Sequence, residues 1–263
     1  MLARISKYLT PKAEIPGGVY LSVSTLTGVS LFAFWCLLSY GGLVRPDFLP
    51  TPDAVVAAGY EGLQDGSLLK HTWTSTSVIL SGFVLASIIS IPIGILMGSF
   101  KLVEAAIEPV TNFVRYLPVS ALIPLLILWI GIGVEQRIAV IFLGTVFQQI
   151  ILIADTSARV SRDMIDVSYT LGANRRQVVT RILIPATLPG VMDTLRVTMG
   201  WAWTYLVVAE LVAAQSGLGY MILNAMRGLF TDVIFLGILI IGLLGLITDQ
   251  ALKALRRWAL PWA

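Results

Sequence analysis

The chain has 263 residues, of which 57% are hydrophobic and 13% charged, and its formal net charge is +3. A soluble domain carries about 25% charged residues, so this composition excludes an ordinary soluble globular fold, and the slight net charge gives no reason to expect a nucleic-acid partner. The single cysteine, Cys36, excludes an internal disulfide, and the single histidine, His71, has no Cys or His beside it at ligand spacing, so no metal site is expected.

Residues 1–18 are polar and mildly basic, with Arg4, Lys7 and Lys12. The first apolar run, residues 19–44, is long enough to span a bilayer at about 20 residues per crossing. It lacks a small-residue cleavage site and reads as a retained helix. A turn-rich stretch, Phe48-Leu49-Pro50-Thr51-Pro52, precedes an amphipathic segment over residues 53–63 that predicts a short surface helix. The second crossing covers residues 72–100. Its Gly94 and Gly98 lie four apart on one face, a spacing that lets another helix approach closely. The third covers residues 105–130 and is interrupted by Pro109, Pro118 and Pro124. The fourth covers 138–154, the fifth 188–213 and the sixth 233–248. The longest polar segment, residues 155–181, separates the fourth from the fifth.

Six crossings place both termini on one side. That side receives Arg4, Lys7, Lys12, Lys101, Arg159, Arg162, Arg175, Arg176, Arg181, Lys253, Arg256 and Arg257. The other receives Arg45, Lys70, Arg137 and Arg227. Loops rich in Lys and Arg stay in the cytoplasm, so the termini and the 155–181 loop are expected there. The expectation is an all-α polytopic membrane protein. It has a cytoplasmic segment (1–18), a transmembrane domain (19–252) with a cytoplasmic element at about 160–185, and a basic tail (253–263).

That cytoplasmic element holds the informative motif. Residues 163–171 have helical character, and Gly172 can end a helix because it tolerates a left-handed backbone. Asn174 is a plausible N-cap for a second helix over 175–183, with Pro185 as its limit. The product is a short, rigid, L-shaped projection able to pass force between a soluble motor and a membrane helix.

This segment resembles the cytoplasmic signature of the permeases of binding-protein-dependent ABC importers. The signature is Glu-Ala-Ala, three residues, Gly, nine residues, then Ile, any residue, Leu and Pro. Asp166, Val167 and Ser168 stand at the triplet; Gly172, Ile182 and Pro185 stand at their expected places, and Ile184 replaces the Leu. Phe48-Leu49-Pro50-Thr51-Pro52 is similar to the Leu-Pro-Ser-Pro element of the nitrate, sulfonate and taurine branch. Glu210 with Ser216-Gly217-Leu218-Gly219-Tyr220 is similar to that branch's Ala-Glu and Gly-Leu-Gly region. The third crossing departs: Arg115-Tyr116-Leu117-Pro118-Val119-Ser120-Ala121-Leu122-Ile123-Pro124 stands where the branch often has Arg-Pro-Ile-Pro-Pro-Leu-Ala-Trp-Leu-Pro.

The resemblance implies a type I ABC importer permease fold, a bacterial inner-membrane location and no catalytic residues. It implies a second, identical permease copy, two ATP-binding subunits and a periplasmic solute-binding protein. Asp166, Ser168, Leu171, Gly172, Ala173, Asn174 and Arg175 would form the coupling helix that seats in the ATPase. No G-x-x-x-x-G-K-[ST] phosphate cradle occurs in the chain, so ATP and Mg are expected on the partner, with no cofactor here. The solute is expected to be a small anion such as nitrate, bicarbonate, taurine or another sulfonate.

Polar groups inside membrane helices are expensive and are functional candidates by default. They are Arg115, Gln148, Gln149, Arg196 and Glu210. The two adjacent glutamines cannot share a direction, so one faces the path and the other a neighbouring helix. Arg196, Trp203 and Glu210 recur at seven-residue intervals and form a stripe expected to line the path or face a second copy. Structural roles, snorkelling for the arginines and helix pairing for Glu210, are the competing reading. An ATP-independent secondary transporter or channel is the alternative for the whole chain, but it would want a buried carboxylate pair that the sequence does not offer.

Overall fold

The computed structural model describes residues 15–262; Arg4, Lys7 and Lys12 fall outside this range. The described residues form helices and connecting turns, without strands. Five helices are long and apolar enough to cross a membrane, and a bent pair brings the total to six if it counts as one span.

Helix α1 (Gly17–Tyr40) is apolar on every side and stands almost clear of the remaining chain, with only Ser39 buried. Its C-terminal end is fastened where Trp35 Nε1 donates to the Pro50 carbonyl at 3.0 Å and the Trp35 ring stacks on Phe235. Helix α2 (Pro52–Gln64) starts on Pro52, whose fixed φ suits a first turn. Its Asp53 accepts a hydrogen bond from the Tyr40 hydroxyl, which holds the carboxyl below its usual pKa.

Helices α3 (Ser67–Ser99) and α6 (Val134–Ala158) form the central pair. Gly82, Ala86, Ser90, Gly94 and Gly98 recur every four residues along α3, and a glycine on this stripe leaves no room for a methyl group. A Cβ on Gly94 would lie 2.8 Å from the Ile150 carbonyl oxygen, and one on Gly98 would strike that of Ala154. The close approach expected of Gly94 and Gly98 is made, and its partner is the fourth crossing. Helix α9 (Ile184–Ala213) completes the core, with Ile79 and Phe83 of α3, Ile141 and Ile153 of α6, and Met199, Trp203 and Leu206 of α9 buried together.

The third crossing is not one helix. Helices α4 (Lys101–Arg115) and α5 (Val119–Ile130) meet at 95°. Of the three prolines, Pro118 makes the break: it sits at the N-cap of α5, offers no N–H, and forces the preceding residue out of helical geometry. Pro109 and Pro124 are absorbed inside their helices.

Pro185 also departs from expectation, because it does not end a helix. Helix α8 (Arg175–Gln177) runs through a π-helical segment, Val178–Leu183, directly into α9. The Ile184 N–H donates five residues back, to Val179. The widened turn ahead of Pro185 moves away the carbonyl its ring would otherwise meet. The helices that hold the fifth and sixth apolar runs are longer than those runs themselves. Helices α10 (Leu218–Gly228) and α11 (Thr231–Ala259) close the fold, and α11 carries Lys253, Arg256 and Arg257 in helical conformation.

Candidate functional site

At one end of the bundle, helix α7 (Arg162–Thr170) follows α6 and stops at Gly172, whose φ is +84°. That value lies in the left-handed region that glycine tolerates. Asn174 then caps α8 with a reciprocal box: its side chain accepts from the Gln177 N–H at 3.0 Å, and Gln177 Oε1 accepts from the Asn174 N–H at 2.8 Å. Ser168 is turned inward, its hydroxyl donating to the Met164 carbonyl. Asp166, Asn174, Arg175 and Gly172 are exposed and Ala173 is half-buried. Leu171 is 83% exposed and Val167 57%, with Met164 and Tyr169 beside them. A capped, glycine-punctuated elbow thus leaves these apolar side chains uncovered in the single chain.

Within the spans the polar residues separate into three environments. Gln149 is enclosed; its amide bonds Ser90 at 2.6 Å and Thr198 at 3.2 Å, tying α6 to α3 and α9. Its neighbour Gln148 turns the other way and donates to the Tyr205 hydroxyl at 3.3 Å. Gln148 and Arg115 thereby line one cavity of about 340 Å³, bordered by the α4–α5 bend, α6 and α9.

The Arg196, Trp203 and Glu210 stripe is split by its partners. Arg196 makes a two-pronged bond to Asp249 of α11, at 2.9 and 3.1 Å. Trp203 Nε1 donates to Thr248 at 3.2 Å on the same helix. Arg256 holds Asp193 at 2.8 Å, which extends the ion pairs along the α9–α11 seam. Arg196 and Trp203 border an open apolar groove of about 710 Å³ there. Glu210 faces elsewhere and is completely buried. The α-helical advance of about 100° per residue leaves a slow drift over fourteen residues, enough to hand the stripe from one neighbour to another.

Glu210 sits in a cluster that the linear sequence does not assemble. Its carboxylate accepts from Ser75 at 2.8 Å and from the Gly219 N–H at 2.8 Å, and lies 3.6 Å from the Arg137 guanidinium. Arg137, expected as an external basic residue, is buried; it donates to the Ser216 carbonyl at 2.8 Å. Ser75 accepts from the Leu218 N–H, and His71 Nδ1 accepts from the Gly217 N–H at 3.1 Å. The first N–H groups of α10, which no residue of that helix can satisfy, are therefore met by α3 and α9. A Cβ on Gly217 or Gly219 would collide with Glu210, which is why glycines flank Leu218. The motif Gly-Leu-Gly was a visible signal; the buried charge of Arg137 was not.

This arrangement of broken and paired helices is the fold of an ABC importer permease. A solved MetNI methionine ABC transporter structure superposes with a TM-score of 0.56 at 20% identity, over 68% of this chain and 93% of the matched chain. The chain belongs to the family described as the binding-protein-dependent transport system inner membrane component, matched over residues 90–260. It is 34% identical over 250 residues to the taurine transport system permease protein TauC of Escherichia coli (strain K12), covering 93% of this chain and 90% of TauC. It is 33% identical over 232 residues to SsuC of Bacillus subtilis (strain 168), named for aliphatic sulfonates transport, covering 88% and 84%. The chain is a multi-pass membrane permease component of an ABC importer.

Proposed function

We propose that this chain forms the translocation path of an ATP-driven importer for a small solute, an anion such as nitrate, bicarbonate, taurine or another sulfonate. Hydrolysis takes place on separate ATP-binding subunits, which carry the nucleotide and Mg. Two copies of the permease pair in the bacterial inner membrane, and a periplasmic binding protein delivers the solute. The basic loops and both termini lie in the cytoplasm, as the distribution of Lys and Arg favours. Alternating access is driven through α7 and the Gly172 elbow, with Asp166, Leu171, Ala173 and Arg175 on the docking surface and Ser168 and Asn174 holding its shape.

The observation that carries this reading is the rigid projection with its exposed Leu171 and Val167, joined through Val178–Leu183 to the long helix α9. The relatives matched by the chain lend the solute class. The test is affinity purification of the tagged permease in detergent, followed by uptake in proteoliposomes. An ATPase subunit should co-purify, and uptake should require internal ATP. Replacing Gly172 with Trp should release the ATPase or abolish uptake. Full ATP-driven uptake and undiminished ATPase binding by that variant would refute the assignment.

A further inference from the structure

The elbow meets the membrane helices at a place where the chain itself makes no link. Arg175, the first residue of α8, lies with its guanidinium carbon 5.0 Å from the centre of the Phe100 ring. Phe100 is the single residue between α3 and α4. Among the described residues Arg175 makes no ion pair, and the side-chain hydrogen bonds of α7 and α8 stay within the elbow. The ring of Phe100 is therefore the polar partner that Arg175 has, since a cation is attracted to the face of an aromatic quadrupole.

Both partners stand on fixed turns. The Phe100 N–H donates to the Leu96 carbonyl at 3.0 Å, and the Phe100 carbonyl accepts from the Glu104 N–H at 3.0 Å. The residue thus closes α3 and opens α4 at once, and its side chain is half-buried. Arg175 follows Asn174, whose reciprocal box with Gln177 fixes the first turn of α8. Coupling between distant parts is carried by packed side chains on rigid elements, and a stacked pair between two capped turns is such a contact. Two routes then leave the elbow. One continues through Val178–Leu183 into α9. The other crosses from Arg175 to Phe100 and enters α4, which ends at the 95° bend into α5. Along the chain, α5 and α6 separate α4 from the elbow, so the stacked pair is the short way to the bent helices.

We propose that Phe100 is a positioning residue for transport. Its ring, acting through Arg175, ties the elbow to the α3–α4 turn, so that a displacement imposed by the ATPase moves the bent pair α4–α5 together with α9. The proposal rests on the importer reading. Arg175 is exposed, so stacking on one face of its guanidinium leaves the other face to the ATPase.

The experiment uses the permease with its ATPase subunits in lipid nanodiscs, in a Cys36→Ser background. One thiol is added at an exposed position, either Ser120→Cys in the first turn of α5 or Thr204→Cys on α9. Its maleimide alkylation rate is measured without nucleotide and after trapping with ATP and vanadate. The factor between the two rates is the nucleotide response at that place. Phe100→Leu keeps an apolar side chain and removes the ring, whereas Phe100→Tyr keeps the ring face. Phe100→Leu should shrink the response at residue 120 about two- to fivefold, the range an exposed cation–π contact corresponds to. The response at residue 204, the co-purification of the ATPase and its hydrolysis rate should be unchanged. Phe100→Tyr should match the parent at both thiols. A full response at residue 120 in Phe100→Leu, equal losses at both thiols, or the same loss in Phe100→Tyr would each overturn the role of Phe100. So would a parent complex that hydrolyses ATP with no response at residue 120. All four outcomes leave the importer reading standing. A permease that binds no ATPase in any form would remove that reading and this role with it.

Discussion

Removal of the Glu210 carboxylate should be the most damaging single change at the end of the bundle opposite the elbow. Glu210 is fully enclosed and lies 3.6 Å from the buried guanidinium of Arg137. At an effective dielectric of about 20, that separation corresponds to roughly 4–5 kcal/mol of attraction, most of it offset by the desolvation of both charges. The net worth of the pair is therefore small, but the cost of half a pair is not. Glu210→Ala strips the charge partner from Arg137 and the acceptor from Ser75 and the Gly219 N–H. Breaking one side of a buried pair costs about 3–5 kcal/mol. At roughly 2–4 °C per kcal/mol for a chain of this size, the melting temperature in detergent should fall by about 10 °C. Glu210→Gln keeps an acceptor for Gly219 and should fall by about half as much. The double variant Arg137→Met with Glu210→Met should recover the part of the loss that comes from the unpaired charge, while Ser75, the Gly219 N–H and the Ser216 carbonyl stay without their partners. Hydrogen exchange should localise the damage, with the Gly219 amide exchanging faster while the Gln177 amide is unchanged. A Glu210→Ala protein melting within about 2 °C of the parent, or a double variant no better than the single, would refute the reasoning.

Other consequences follow from single contacts. Gly94→Val should cost about 1–3 kcal/mol or more, since its Cβ meets the Ile150 backbone rather than a movable side chain; chemical denaturation in detergent would measure it. Arg196→Ala should lower stability only slightly, the partly exposed pair with Asp249 being screened by solvent. The swapped pair Arg196→Asp with Asp249→Arg should regain at least half of that in the same assay. Gln136 is buried with both amide atoms lacking a hydrogen-bond partner among the described residues, so Gln136→Met should raise stability by about 1 kcal/mol. Asn174→Ala should cost about 1 kcal/mol locally through loss of the capping box, detected as faster exchange of the Gln177 amide.

The elbow was readable because its determinants are local. Gly172 ends α7 by its own backbone freedom, and Asn174 and Gln177 bond across three residues. The close approach at Gly94 and Gly98 was readable as a spacing, though nothing in the spacing named α6 as the partner. Pro118 and Pro185 look alike in the chain, yet one bends the path by 95° and the other is carried by a π turn. The difference depends on what packs around each turn.

Length and charge placement by themselves determined that this is a multi-span helical protein, because apolar runs of that length have only one solvent, and local backbone chemistry determined the elbow. Tertiary structure alone decided the use of the buried polar groups. Gln148 faces a cavity while Gln149 binds three helices together. Arg196 pairs along a seam, and Arg137, 73 residues before Glu210, becomes its counter-charge. Such pairings unite residues far apart in sequence, and a buried charge reveals its cost or its purpose only through the atoms brought to meet it.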